Sequence, residues 1–262
     1  PEPRLRAAVP ILRWEPQHRG APCCDVSVNS TLAVVNSQLV GAYVAADMRV
    51  KPLVVALKAW ARARGINDRS RGTLSSFAIT LMVIHYLQRR RLLPSLQELA
   101  AARGEEPREI GGADCRFCTD ADAIAVEVAR IRSEAGLPAA ASDDEVAGAL
   151  LLGFFRHFGA EYRGGVISVR GAEPASHESL HTDSVVNRFF FVENPFEPGR
   201  DVANVEVGQL ARIRDELRRA FRHLGQGRPL SELCAPRRPA DDDAAEDDRA
   251  FAAARRSAAW RA

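Results

Sequence analysis

Lys51-Pro-Leu-Val-Val-Ala-Leu-Lys58-Ala-Trp60-Ala-Arg62-Ala-Arg-Gly65-Ile-Asn67-Asp-Arg-Ser-Arg-Gly72-Thr73-Leu-Ser75-Ser76-Phe77, continuing through Ala-Ile-Thr-Leu-Met-Val-Ile-His-Tyr-Leu-Gln88, is the stretch that decides the fold. Val50, Leu53, Val54, Leu57 and Trp60 recur at three- and four-residue spacing, which predicts a helix running from Gly41 to Gly65. Lys58 and Arg62 are four apart and so share one face of it. A polar link, Asn67 to Gly72, interrupts the pattern. Thr73 and Ser75 then offer hydroxyls that cap a second helix carrying Phe77, Leu81, Met82, Ile84 and Leu87 and ending in the arginines at 89–91.

Outward from this helical pair, residues 8–14 and 24–28 read as two short strands, too few for a stable sheet by themselves, so the first segment needs partners. Residues 102–122 read as loop, and Ser142-Asp-Asp144 caps a helix over 145–158. Residues 166–169 and 189–192 are strand candidates, and Asn204 to Leu224 carries one apolar stripe of Leu210, Ile213, Leu217, Phe221 and Leu224. After Pro236 the composition turns acidic (Asp241-Asp-Asp243, Glu246-Asp-Asp248) and then Ala/Arg-rich, the pattern of a solvated tail.

Composition bounds the function classes. With 262 residues, 46% hydrophobic and 27% charged, the chain can bury a sizeable core, and no apolar stretch approaches the roughly 20 residues that cross a bilayer. The formal net charge is only +2, which excludes a uniformly basic nucleic-acid-coating protein. Lysine occurs only at Lys51 and Lys58 among 36 basic residues, so each lysine carries weight. Cys23, Cys24, Cys115, Cys118 and Cys234 are too few and irregular for a disulfide framework and read as reduced thiols of an intracellular protein. Cys115-Arg-Phe-Cys118 lacks the second half of a zinc site, and His85, Trp60 and Met82 read as core. The sequence opens on Pro1 without an initiator methionine, so a leader is not legible.

Three blocks suit a nucleoside triphosphate. Lys58 with Arg62 makes a point charge beside a fork, a combination that grips phosphate oxygens. Ser75 and Ser76 at a helix start offer hydroxyls and free N–H groups to an anion, and Phe77 offers a face to a base. Asn194 and Glu197 flank Pro195 and either read a base edge or cap a turn. Asp25 sits on a strand, where a carboxylate holds Mg²⁺ through oxygen.

In this order the blocks 24–39 (CDVSVNSTLAVVNSQL), 51–88, 93–97 (LPSLQ), 192–197 (VENPFE) and 201–204 (DVAN) resemble the noncanonical poly(A) polymerase and terminal uridylyltransferase family of the DNA polymerase β-like superfamily. The likeness runs over about residues 8–225, is most specific in the middle block, and is close to the trypanosomatid uridylyltransferases. It implies an α+β fold: a remnant of the α/β catalytic domain over 1–30, a helical PAP-associated domain over 31–228, and a disordered tail over 229–262. It implies that Asp25 is the third catalytic, metal-binding carboxylate, that Asn36 and Ser37 contact the sugar, and that Lys58, Arg62 and Ser76 contact phosphate. Phe77 falls where the family stacks the base, usually with tyrosine, and Asn194 with Glu197 falls on an acidic pair that helps select uracil. Asn194 departs from that pair, and Arg62 replaces a common lysine.

The resemblance implies an RNA uridylyltransferase adding UMP from UTP to RNA 3′ ends with Mg²⁺ or Mn²⁺, its partners being the nucleotide and the RNA end, in mitochondrion or cytoplasm. The alternatives are a poly(A) polymerase using ATP and a noncatalytic RNA- or partner-binding scaffold. The family's Gly-Ser motif and Asp-x-Asp pair precede the third carboxylate and are absent from this sequence. Asp120-Ala-Asp122 comes too late in the chain to replace them, so this polypeptide is expected to be inactive alone.

Overall fold

The computed structural model describes residues 2–5, 10–14, 18, 23–136, 143–171 and 190–236. The acidic tail and Phe189 lie outside the described residues. Three antiparallel strands come first: β1 (Glu2–Arg4), β2 (Ile11–Trp14) and β3 (Cys24–Ser27), in the order β1-β2-β3. The expected pair of strands thus gains β1. Pleating puts Leu12, Trp14 and Val26 on one face, all substantially exposed, and Ile11, Arg13, Asp25 and Ser27 on the other.

The helix expected over 41–65 is two helices, α1 (Thr31–Ala46) and α2 (Val50–Ala63). Asp47 makes the break. Its Oδ1 accepts the Arg49 N–H at 2.9 Å and the Arg49 Nε at 2.8 Å, a local alternative to the helical ladder. Apolar spacing alone does not mark the break, because Val35, Leu39 and Tyr43 continue a buried stripe on α1.

α3 (Ser76–Arg89) starts where the capping residues predict: Ser75 Oγ accepts the Ala78 N–H at 3.0 Å. It is buried all round from Ala78 to Leu87, as expected of a central helix. α2 packs against it on one side, and the strands β6 (Val166–Ile167) and β7 (Phe191–Asn194) on another. Gly72, with φ +68°, ends the 3-10 turn Arg69–Arg71. A Cβ there would lie 2.4 Å from the Glu206 side chain, so the close approach needs glycine.

The span expected to be loop over 102–122 holds the end of α4 (Leu96–Ala102), a hairpin of β4 (Glu109–Ile110) and β5 (Ala113–Asp114), and the first residues of α5 (Ala121–Glu134). Asp120 caps α5, its Oδ1 accepting the N–H groups of Asp122 and Ala123 at 3.1 Å each. α6 (Asp143–Arg156) runs into a π-turn, His157–Glu161, closed by Tyr162 N–H to His157 O at 2.7 Å. β7 pairs parallel with β6 and antiparallel with β8 (Glu197–Asp201).

α7 (Val207–Gly225) closes the bundle over α6 and the π-turn. Gly159 lets it approach: a Cβ there would sit 2.9 Å from the Leu217 carbonyl. The expected tail starts too early at 229. α8 (Leu230–Leu233) buries Leu233 to 1% exposure, and Ala235 O accepts from Arg64 Nη1 at 2.9 Å. The aromatic core centres on Trp60 edge-on to Phe155 at 4.8 Å, with Phe154 and Phe158 alongside. Among the described residues no helix is long and apolar enough to cross a membrane.

Candidate nucleotide site

Lys58 and Arg62 project from α2, Lys58 half-buried and Arg62 exposed. α2 carries no acidic residue, and neither cation forms an ion pair among the described residues. The helix that packs against α3 therefore carries two cations and no carboxylate of its own.

At that start the backbone N–H groups of the first turn lack intrahelical acceptors, which favours an anion there. Ser76 Oγ donates to Asn67 Oδ1 at 3.2 Å, and Asn67 Nδ2 donates to Leu74 O at 2.9 Å, so the polar link holds the hydroxyl in place. Phe77 is half-buried: it packs partly on the core and keeps part of its ring open.

The second arm is the β7–β8 hairpin. Asn194 is 5% exposed, its Oδ1 accepting the Phe196 N–H at 3.1 Å and its Nδ2 donating to Glu197 Oε2 at 2.6 Å. It thus caps the turn and orients Glu197 at once. Glu197 is half-buried and also ion-paired to Arg200. Pro195 O between them accepts from Gln97 Nε2 at 2.8 Å and Arg170 Nη1 at 2.7 Å, which clamps the turn to α4.

Three bonds join the arms. Ser75 Oγ donates to Val202 O at 3.0 Å, Glu206 N–H to Gly72 O at 2.9 Å, and the Asn204 amide, turned to satisfy its neighbours, accepts from Arg69 Nη2 at 2.8 Å. The structure therefore brings the α3 start with Ser76 and Phe77 onto the hairpin that carries Asn194 and Glu197. Asp201, part of the 201–204 block, accepts from the backbone that joins the arms. Its signal was a carboxylate followed by small residues at a strand end, which is the pattern of a side chain accepting from its own following backbone.

Asn36 and Ser37 lie on α1, two helices before α3. Ser37 Oγ donates back to Ala33 O at 2.9 Å, and Asn36 Oδ1 is buried with no hydrogen-bond donor among the described residues. Asp25 sits on β3 across from Arg13, whose Nε is 4.0 Å from Oδ1, with half of the Asp25 side chain exposed. Among the described residues no group of three or more His, Cys, Asp or Glu gathers to hold a metal. Asp25 fits as one oxygen ligand of Mg²⁺ or Mn²⁺, and the described residues do not complete a site around it. Cys115 and Cys118 are buried thiols whose pKa burial raises, the opposite of what a metal ligand or nucleophile needs.

No family model matches the chain. It is 33% identical over 236 residues to the poly(A) RNA polymerase cid13 of Schizosaccharomyces pombe, covering 87% of this chain and 38% of that one. It is 35% identical to the poly(A) RNA polymerase GLD2-B of Xenopus laevis, covering 87% and 42%. The chain thus spans less than half the length of the curated relatives it matches. Among solved structures, the Cid1 poly(U) polymerase with Mg and 3′-dATP bound superposes with a TM-score of 0.72 at 26% identity, over 90% of this chain and 71% of that one. The relatives of this chain are accordingly the noncanonical poly(A) polymerases and Cid1-type nucleotidyltransferases, whose mixed α+β fold it shares.

Proposed function

We propose that this chain forms the nucleotide-binding part of an RNA 3′-terminal nucleotidyltransferase that favours UTP. The observation that carries this reading is the junction just described: the start of α3 stapled to the hairpin bearing Glu197, with Lys58 and Arg62 on the helix α2 that packs against α3. On this reading Lys58, Arg62 and the Ser76 hydroxyl hold the triphosphate, and Phe77 stacks on the base. Asn36 and Ser37 on α1 contact the ribose, as the resemblance implies. Glu197, held by Asn194, accepts from a base N–H.

The preference for UTP rests on Glu197, the member of the uracil-selecting acidic pair that this sequence keeps, with Asn194 in the place of the other acid. Structures of Cid1 with a UTP analog and with the product ApU support a nucleotide and RNA cleft in this fold. Asp25 contributes one carboxylate to the reacting end. The described residues do not gather the other ligands of a two-metal site, and on this reading those belong to the part of the relatives' length that this chain does not span.

The test is extension of a short RNA by the full protein that contains this chain, given each of the four nucleotides in turn with Mg²⁺. Extension with UTP ahead of the rest is expected. A clear preference for ATP overturns the base assignment, and no extension with any nucleotide overturns the transferase reading and leaves the scaffold.

A further inference from the structure

Asp201 closes β8 half-buried, and three backbone N–H groups converge on its carboxylate. Oδ1 accepts from Val192 at 3.1 Å and from Ala203 at 2.9 Å, and Oδ2 accepts from Asn204 at 3.2 Å. Only a carboxylate offers that many acceptor sites in one place, since an amide would turn its NH₂ toward one of the donors. Val202 N–H donates to Val192 O at 2.8 Å, so the backbone returns the bond. Asn204 adopts φ +49°, a left-handed conformation that its place in this turn imposes.

The residues the carboxylate fixes, and those beside them in the same turn, carry the bonds to the helix start. Val192 belongs to β7, two residues before Asn194. Val202 presents its carbonyl to the hydroxyl of Ser75, the residue that caps α3 just ahead of Ser76 and Phe77. Asn204 takes the Arg69 guanidinium, and Glu206 takes Gly72 O. The Asp201 side chain thus ties β7 to the turn at 203–204, and that turn with its neighbours Val202 and Glu206 bonds the helix start, while the carboxylate touches none of the groups assigned to phosphate or base.

We propose that Asp201 is a positioning residue for nucleotide selection: it holds the base-reading hairpin in register with the phosphate-binding start of α3. The inference rests on the function proposed above. Burial raises the Asp201 pKa despite three N–H donors and Arg69 pulling the other way, so the turn keeps a carboxylate in a place that disfavours its charge.

The experiment compares wild type, Asp201→Asn, Asp201→Ala and Ser75→Ala in the full protein that contains this chain, by steady-state extension of a short RNA with each of the four nucleotides. A loss confined to positioning raises the nucleotide KM by about tenfold or more in Asp201→Ala, narrows the differences among nucleotides, and leaves kcat at saturation and the KM for RNA within about threefold. Asp201→Asn, which keeps one acceptor oxygen, is expected to fall between wild type and Asp201→Ala.

Ser75→Ala cuts the same link from the helix side, so it should repeat the signature and add less than its own effect when combined with Asp201→Asn. These two variants carry the test if Asp201→Ala does not fold. Unchanged nucleotide KM in both overturns the inference, as does a proportional fall in kcat with a rise in the KM for RNA. Wild-type protein that extends RNA with no nucleotide removes the function and this inference together; active wild type with indifferent variants removes only the inference.

Discussion

Arg64 and Glu216, 152 residues apart in sequence, meet as a bidentate ion pair inside the protein, Nε to Oε2 at 2.8 Å and Nη2 to Oε1 at 2.9 Å. Arg64 is 1% and Glu216 4% exposed. The pair ties the C-terminal end of α2, the helix of Lys58 and Arg62, to the middle of α7, and Arg64 Nη1 adds the bond to Ala235 O. Two charges out of water attract strongly only while both are present. Glu216→Ala is therefore expected to destabilise by roughly 3–5 kcal/mol, and Arg64→Met with Glu216→Leu to recover most of that loss. Urea unfolding measures both; a loss under about 1 kcal/mol in the single variant contradicts the assignment.

His85 makes stability depend on pH. Its Nδ1 lies 2.7 Å from Ser168 O, so the neutral ring donates there, and burial depresses its pKa from 6.5 to about 4. Between those values the unfolded chain binds a proton that the folded chain refuses. The stabilisation is thus complete above pH 6.5 and is lost as pH falls toward 4, by up to the order of 3 kcal/mol. His157 and His223, also depressed by burial, add the same sign. Wild type should lose more stability than His85→Gln between pH 7 and pH 5; equal losses in urea titrations rule out His85 as the source.

Where side-chain chemistry is local, the sequence was informative. Ser75 caps α3 as its hydroxyl predicts, and the apolar stripe of α7 is buried at Ile213 and Leu217. Boundaries set by competition escaped: Asp47 and Arg49 end a helix that periodicity alone carries on. Non-local partners escaped as well. Nothing near Asn194 in sequence announces Gln97 and Arg170 on the Pro195 carbonyl, nor does Ser75 announce Val202. The candidate site was legible as residue types in order, while the staple that gathers them depends on backbone carbonyls that every sequence possesses.

Asp25 and Lys58 separate two parts of the proposed function. Asp25 is half-exposed on a sheet face shared with Arg13, whereas Lys58 lies on a helix that carries no acidic residue. If Asp25 serves the reacting end, Asp25→Ala in the full protein lowers kcat by about a thousandfold or more and leaves nucleotide Kd within about threefold, because the lost interaction belongs to the transition state. Lys58→Ala removes a charged contact worth about 1.5–3 kcal/mol, so nucleotide Kd should weaken roughly ten- to a hundredfold. Equilibrium binding of a nonhydrolysable UTP analog alongside single-turnover extension distinguishes the two. Retained turnover in Asp25→Ala contradicts its role at the metal, and unchanged binding in Lys58→Ala returns that lysine to an ordinary solvated helix face.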